Sequence, residues 1–142
     1  MMKKLLLLVG LVVFLMPTFT NAEDVKIYKK ANYQVNVNDA YLDCSTNYDI
    51  LLCWVNANVT VLSDLIGKYY FAIEVTCKNE FTTFDSRNMP MLQQWESLGI
   101  VFISDSNQGS REISMSISVP YNAVKIQLDQ VTCRVSNFID YD

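Results

Sequence analysis

The chain has 142 residues, 51% of them hydrophobic and 18% charged, with a formal net charge of −4 and no histidine. That balance excludes nucleic acid or an anionic membrane surface as the principal partner, because both call for a basic footprint. The missing imidazole excludes Ser-His-Asp and Cys-His nucleophile systems and histidine metal sites.

The N-terminus has the three parts of an export signal. Lys3 and Lys4 precede an uncharged apolar stretch from Leu5 to Met16, Pro17 ends it, and Thr20 and Ala22 put small residues at −3 and −1 of a cleavage site before Glu23. The apolar stretch is shorter than the ~18 to 20 residues a spanning helix needs, so residues 1–22 read as a cleaved signal peptide and not as an anchor. No cysteine follows the stretch to accept a lipid. Residues 23–142 remain as one domain that is secreted or periplasmic and soluble after cleavage, with 9 basic and 15 acidic residues and a net charge of −6. Such a charge suits a basic partner face, or simply keeps an exported domain in solution.

Short strands are expected at Val25 to Tyr28, Tyr33 to Val37 and Ala40 to Cys44. The clearest pattern follows: Cys53, Val55, Ala57, Val59 and Val61 alternate with Trp54, Asn56, Asn58, Thr60 and Leu62, and Tyr69, Phe71, Ile73, Val75 and Cys77 alternate with Tyr70, Ala72, Glu74, Thr76 and Lys78. Folding the chain about Leu65 pairs Val61 with Tyr69, Val59 with Phe71 and Cys53 with Cys77, which places one apolar set on one face. Asn88 to Leu98 is the helix candidate, with Asn88 as cap, Pro90 in the first turn, and Met91, Leu92, Trp95 and Leu98 on one side.

Gly99 to Ser104 is an apolar run, joined to the next strand by a loop from Asp105 to Ser110. A second hairpin is expected from Ile113 to Leu128, turning at Pro120 to Ala123 and pairing Val119 with Val124, Ile117 with Ile126 and Met115 with Leu128. With Gly99 to Ser104 it makes three consecutive antiparallel strands. After Leu128 the apolar parity shifts to Val131, Cys133 and Val135, which requires a bulge near Asp129-Gln130. Seven or eight short strands and one helix read as an all-β fold, an antiparallel two-sheet β-sandwich. With Cys53-Trp54 and Cys77 on strands, the arrangement loosely resembles an immunoglobulin-like sandwich. It departs from that pattern where the Tyr-x-Cys corner is absent and Trp54 adjoins its cysteine.

Four cysteines in an oxidising compartment favour two disulfides. Cys44 with Cys53 closes the short loop and leaves Cys77 with Cys133, while a Cys53–Cys77 cross-strand link is the alternative. No C-x-x-C motif marks a redox thiol or a zinc site, and Asp105-x-Asn107-x-Gly109 lacks the ligands of a calcium loop, so no metal or cofactor is expected. The carboxylates Asp39, Asp43, Asp49, Asp64, Glu74, Glu80 and Asp85 are scattered near turns and mark no matched acid and base. Asn58-Val59-Thr60 is a possible glycan acceptor on an outward strand face.

Trp54, Thr60, Leu62 and Tyr70 form the candidate binding patch, with Thr60 opposite Tyr70 on the outer side of the first hairpin. The expected function is that of an exported, non-enzymatic binding module for a protein or glycan partner, in an adhesion, inhibitory or envelope-assembly role. A structural subunit of a larger extracytoplasmic complex and a small histidine-independent polysaccharide hydrolase are the alternatives.

Overall fold

The computed structural model describes residues 27–104 and 107–139. The export signal and its cleavage site lie outside them. Residues 27–30 are helical, so Ile27 and Tyr28 do not form the strand expected there. No helix among the described residues is long and apolar enough to cross a membrane.

From Tyr33 onward the chain is β1 (Tyr33–Asn47), β2 (Ile50–Ser63), β3 (Phe71–Asp85), β4 (Pro90–Ile103), β5 (Gln108–Ile117) and β6 (Ala123–Ile139). They form two antiparallel three-stranded sheets, β1-β2-β5 and β4-β3-β6, consistent with a two-sheet sandwich. The described strands number six and are long, where seven or eight short ones were expected. The reason is clear at the front of β1: the register with β2 shifts between Val37 and Asp39, and this bulge joins the two short segments into one strand while keeping Val37 and Ala40 on the inner side.

Inner faces follow the sequence alternation closely. Val55, Ala57, Val59 and Val61 of β2, Ile73, Val75 and Phe81 of β3, Val101 and Ile103 of β4, and Ile113 and Ile117 of β5 are all buried. Tyr33 of β1 packs edge-on against Phe71 of β3 at 6.2 Å between ring centroids and lies 5.6 Å from Phe138 of β6. Burying side chains of this size supplies the main driving force, about 1.5 to 3 kcal/mol each.

The pairing differs from expectation. β2 bonds to β1 and β5, and β3 bonds to β4 and β6, so neither Val59 with Phe71 nor Ile117 with Ile126 are ladder neighbours. Both expected hairpins are crossovers between sheets, and β4 and β5, expected side by side in one sheet, belong to different ones. Facing strands in a sandwich present apolar sets to each other just as ladder partners do, so alternation alone does not separate the two arrangements. The connections decide it. Asn107 Nδ2 donates to the carbonyls of Leu65 at 2.8 Å and Gly67 at 2.9 Å, while its own carbonyl accepts from the Ser63 backbone N–H at 3.0 Å. One residue between β4 and β5 thus holds the β2–β3 crossover.

The expected helix at Asn88 to Leu98 is instead strand β4. Asp85 Oδ1 accepts from the N–H groups of Arg87 and Met89, both at 2.9 Å, and Asn88 takes a positive φ of 62°. That is a hairpin turn and not a helix cap, and it delivers Pro90 opposite Phe84. The bulge near Asp129 is present: Glu80 pairs with Gln130 and Phe81 with Leu128, leaving Asp129 as the extra residue.

Both disulfides join directly opposed residues of neighbouring strands, Cys44 to Cys53 across β1–β2 and Cys77 to Cys133 across β3–β6. Each bridge lies within one sheet, unlike the inter-sheet bridge of the immunoglobulin pattern. Two structural disulfides place the chain in an oxidising, extracytoplasmic environment.

Candidate functional site

The outer face of β1-β2-β5 is built by simple parity. Asp43, Trp54 and Ser116 form one row across the three strands, Tyr41, Asn56 and Ser114 the next, then Asp39, Asn58 and Glu112, then Asn36, Thr60 and Ser110. No lysine or arginine stands in these rows. Hydrogen bonds knit the middle of the face. Asn38 Nδ2 donates to Thr60 Oγ1 at 2.6 Å, the Thr60 and Ser110 hydroxyls lie 3.0 Å apart, and the Ser114 hydroxyl donates to Asn56 Oδ1 at 2.6 Å.

Toward the β1–β2 turn the character changes. β5 ends opposite Cys53, so the outward side chains of Ile50 and Leu52 have no neighbour on that flank. Ile50, Leu52 and Trp54 follow the strand period of two and are 57%, 39% and 41% exposed, forming an apolar ridge. The turn is tight because Tyr48 and Asp49 both adopt positive φ, 48° and 63°, as a two-residue hairpin connection requires.

Asp43 stands beside Trp54 at the end of this ridge, and Asp39 and Glu112 flank Asn58 two rows farther along the face. The negative charge of Glu112, with slight desolvation and the charges of Asp39 and Asp43 adding to it, holds the Tyr41 phenol above its usual pKa. Asp39 and Asp43, read from sequence as turn residues, are strand residues that the β1–β2 register brings onto this face. Tyr41, Asp43 and Leu52 therefore join Trp54, with Glu112 beyond Tyr41, although only pairing across strands reveals them.

The four patch residues do not assemble as expected. Trp54, Thr60 and Leu62 share the outer face of β2, with Trp54 and Leu62 toward opposite ends. Tyr70 lies outside the face, in the connection before β3, and is 74% exposed. Thr60 stands between Asn36 and Ser110 instead of opposite Tyr70. Asn58, the possible glycan acceptor, is half-buried between Asp39 and Glu112. Of the weak calcium-loop pattern, Asp105 and Ser106 lie outside the described residues, and Asn107 serves the crossover.

Fold and surface together define an all-β, disulfide-bonded sandwich protein with an apolar ridge and acidic residues on one outer face. No protein family, curated protein or solved structure matches the chain.

Proposed function

We propose that this protein is exported to the periplasm or the cell exterior and acts there as a non-enzymatic binding module, gripping a protein partner with the outer face of its β1-β2-β5 sheet. The observation that carries the reading is the exposed Ile50-Leu52-Trp54 ridge with Asp43 and Tyr41 beside it and Asp39 and Glu112 farther along the same face. Tryptophan and tyrosine supply contact area at low entropic cost, and apolar side chains bordered by polar ones are the usual make-up of a contact surface. Carboxylates without a cation among them favour a partner that brings lysine or arginine and would speed its encounter. The export signal at residues 1–22 and the two disulfides support the compartment.

A photo-reactive residue placed at Leu52 in the producing cells, with Gln130 on the other sheet as control, tests the surface. A discrete cross-linked product from position 52 and none from 130 is expected, lost on adding Trp54→Ala while the melting temperature stays unchanged. Equal products from both positions would rule the face out. N-terminal sequencing of the exported protein should begin at Glu23 or within a few residues of it.

A further inference from the structure

A second surface, on the opposite sheet, points to a different partner. β4 is an edge strand, bonded to β3 alone. The hairpin fixes which of its backbone groups are used. Asp85 N–H donates to the Met89 carbonyl, so odd-numbered residues of β4 exchange hydrogen bonds with β3, and Leu92, Gln94, Glu96 and Leu98 direct their N–H and C=O groups to the free edge.

The edge is open over only part of its length. Arg111 Nη1 donates to the Ile100 carbonyl at 2.8 Å, and Ile113 packs so closely on Gly99 that a methyl group there would meet its Cγ1. β5 thereby closes the edge from Gly99 onward. Residues 90–98 remain bare, and exposed apolar side chains stand on both of their faces: Leu92 at 82%, Leu98 at 62%, Met91 at 52% and Trp95 at 40%. Edge strands ordinarily discourage pairing with lysines, bulges or brevity. This one carries no lysine, its register with β3 has no shift, and its single charge is Glu96.

We propose that this edge pairs with the same edge of a second copy, antiparallel about a twofold axis through Trp95. The open stretch selects the register. The hydrogen-bond phase requires even residues to meet even ones, which limits the axis to a residue position. An axis at Glu96 would set that carboxylate against its own copy, one at Gln94 would set Glu96 against Leu92, and one at Ser97 would need Ile100 and Phe102, where the edge is closed. At Trp95 the meetings within residues 92–98 are favourable: Leu92 meets Leu98 of the other copy, Gln94 offers its amide to the Glu96 carboxylate, and Trp95 meets Trp95 at the closely spaced position. The two carboxylates face amide donors instead of each other, and this complementarity, made twice by the twofold axis, is what favours a second copy over a foreign strand. The open stretch is shorter than the roughly 20 to 30 residues a side of a standard interface, so the dimer is concentration-dependent. The pairing is isologous and closes on itself, which stops it from growing into fibres.

Sedimentation equilibrium of the disulfide-intact protein across a wide concentration series tests the proposal. A monomer–dimer equilibrium is expected. Gln94→Glu, which sets carboxylate against carboxylate twice per dimer, should weaken it by about tenfold or more, and Gln94→Lys should tighten it several-fold, the difference shrinking in high salt. Gln94 is exposed but stands opposite Glu80 of β3, so Gln94→Glu should lower the melting temperature slightly and Gln94→Lys raise it slightly, and the association constants are compared at a temperature where both variants are fully folded. A monomer at every concentration overturns the proposal, as does a dimer indifferent to both variants. A monomer that instead gives a cross-link from Leu92 to another polypeptide overturns it too, and would mark β4 as a docking edge for a foreign strand. None of these outcomes touches the Leu52 cross-link, so the two surfaces stand or fall separately.

Discussion

The Thr82 hydroxyl donates to Asp129 Oδ2 at 2.6 Å, fixing the bulge residue that sets the facing of β6 from Gln130 to Val135. With Asp129 in place, Leu128 faces Phe81 and Cys133 faces Cys77, both on the inner side. Deleting Asp129 should turn one half of β6 to the wrong face and prevent the Cys77–Cys133 bridge, leaving two thiols that a mass-based alkylation assay counts. Thr82→Val removes only the hydrogen bond and should cost about 1 kcal/mol in denaturant unfolding.

Val59 occupies the centre of the inner face of β2 and is 1% exposed. Val59→Asp should place an unpaired charge in the core at a cost of several kcal/mol, against a total stability of roughly 5 to 15 kcal/mol. Loss of the near-ultraviolet circular dichroism signal at room temperature is the expected readout. Trp54→Ala, on the other face of the same strand, should retain that fold.

Gly109 opens β5 where the chain turns between the sheets, and a Cβ there would run into the Phe102 carbonyl oxygen and approach Val101 Cγ1 to 2.8 Å. A backbone oxygen cannot step aside as a side chain can. Gly109→Ala should therefore destabilise by roughly 1 to 3 kcal/mol, measured as a lowered denaturation midpoint with an unchanged slope.

The hydrogen bonds from the Met89 and Arg87 backbone N–H groups, with the Arg87 charge 3.6 Å away, hold the Asp85 carboxyl below its usual pKa. A pKa lower in the folded state than in the unfolded one means that the stabilisation is present above the unfolded value and is lost as pH falls through the folded one. Asp85→Asn should lower the melting temperature at neutral pH, with the two curves converging as pH drops below the ordinary carboxylate range. Curves that stay parallel down to that range would show that the charge contributes nothing to the turn.

The two bridges close very different loops, with sequence separations of 9 for Cys44–Cys53 and 56 for Cys77–Cys133. Replacing Cys77 and Cys133 together with serine should cost about 4 kcal/mol by loop-closure entropy, against roughly 2.6 kcal/mol for the Cys44 and Cys53 pair. Peptide mapping without reductant should recover those two links, and a Cys53–Cys77 peptide would contradict the β1–β2 and β3–β6 registers together.

Much of this protein is legible in its sequence because strand parity is a local property. The inner residues of β2 from Cys53 to Val61, those of β5, the run from Ile126 to Val135 in β6 and the bulge at Asp129 follow from which side of the backbone successive side chains take, whereas Val124, expected on the inner side, is the extra residue of another bulge and is exposed. The short loop between Cys44 and Cys53 likewise left one economical pairing for the remaining cysteines. Sheet membership is not local. Val59 and Phe71 are both buried whether they are ladder neighbours or face one another across a sandwich, and only the path of residues 64–70, held by Asn107, separates the two. β4 shows the same limit: Met91, Leu92, Trp95 and Leu98 fit a helical stripe, but β3 needs a hydrogen-bonding partner on that side, and the Asp85 turn supplies one, splitting those four residues between two faces. The joining of acidic residues to the apolar ridge on β1-β2-β5 and the bare edge of β4 therefore exist only in the tertiary structure, because each is composed of residues whose adjacency is set by strand pairing and not by their place in the chain.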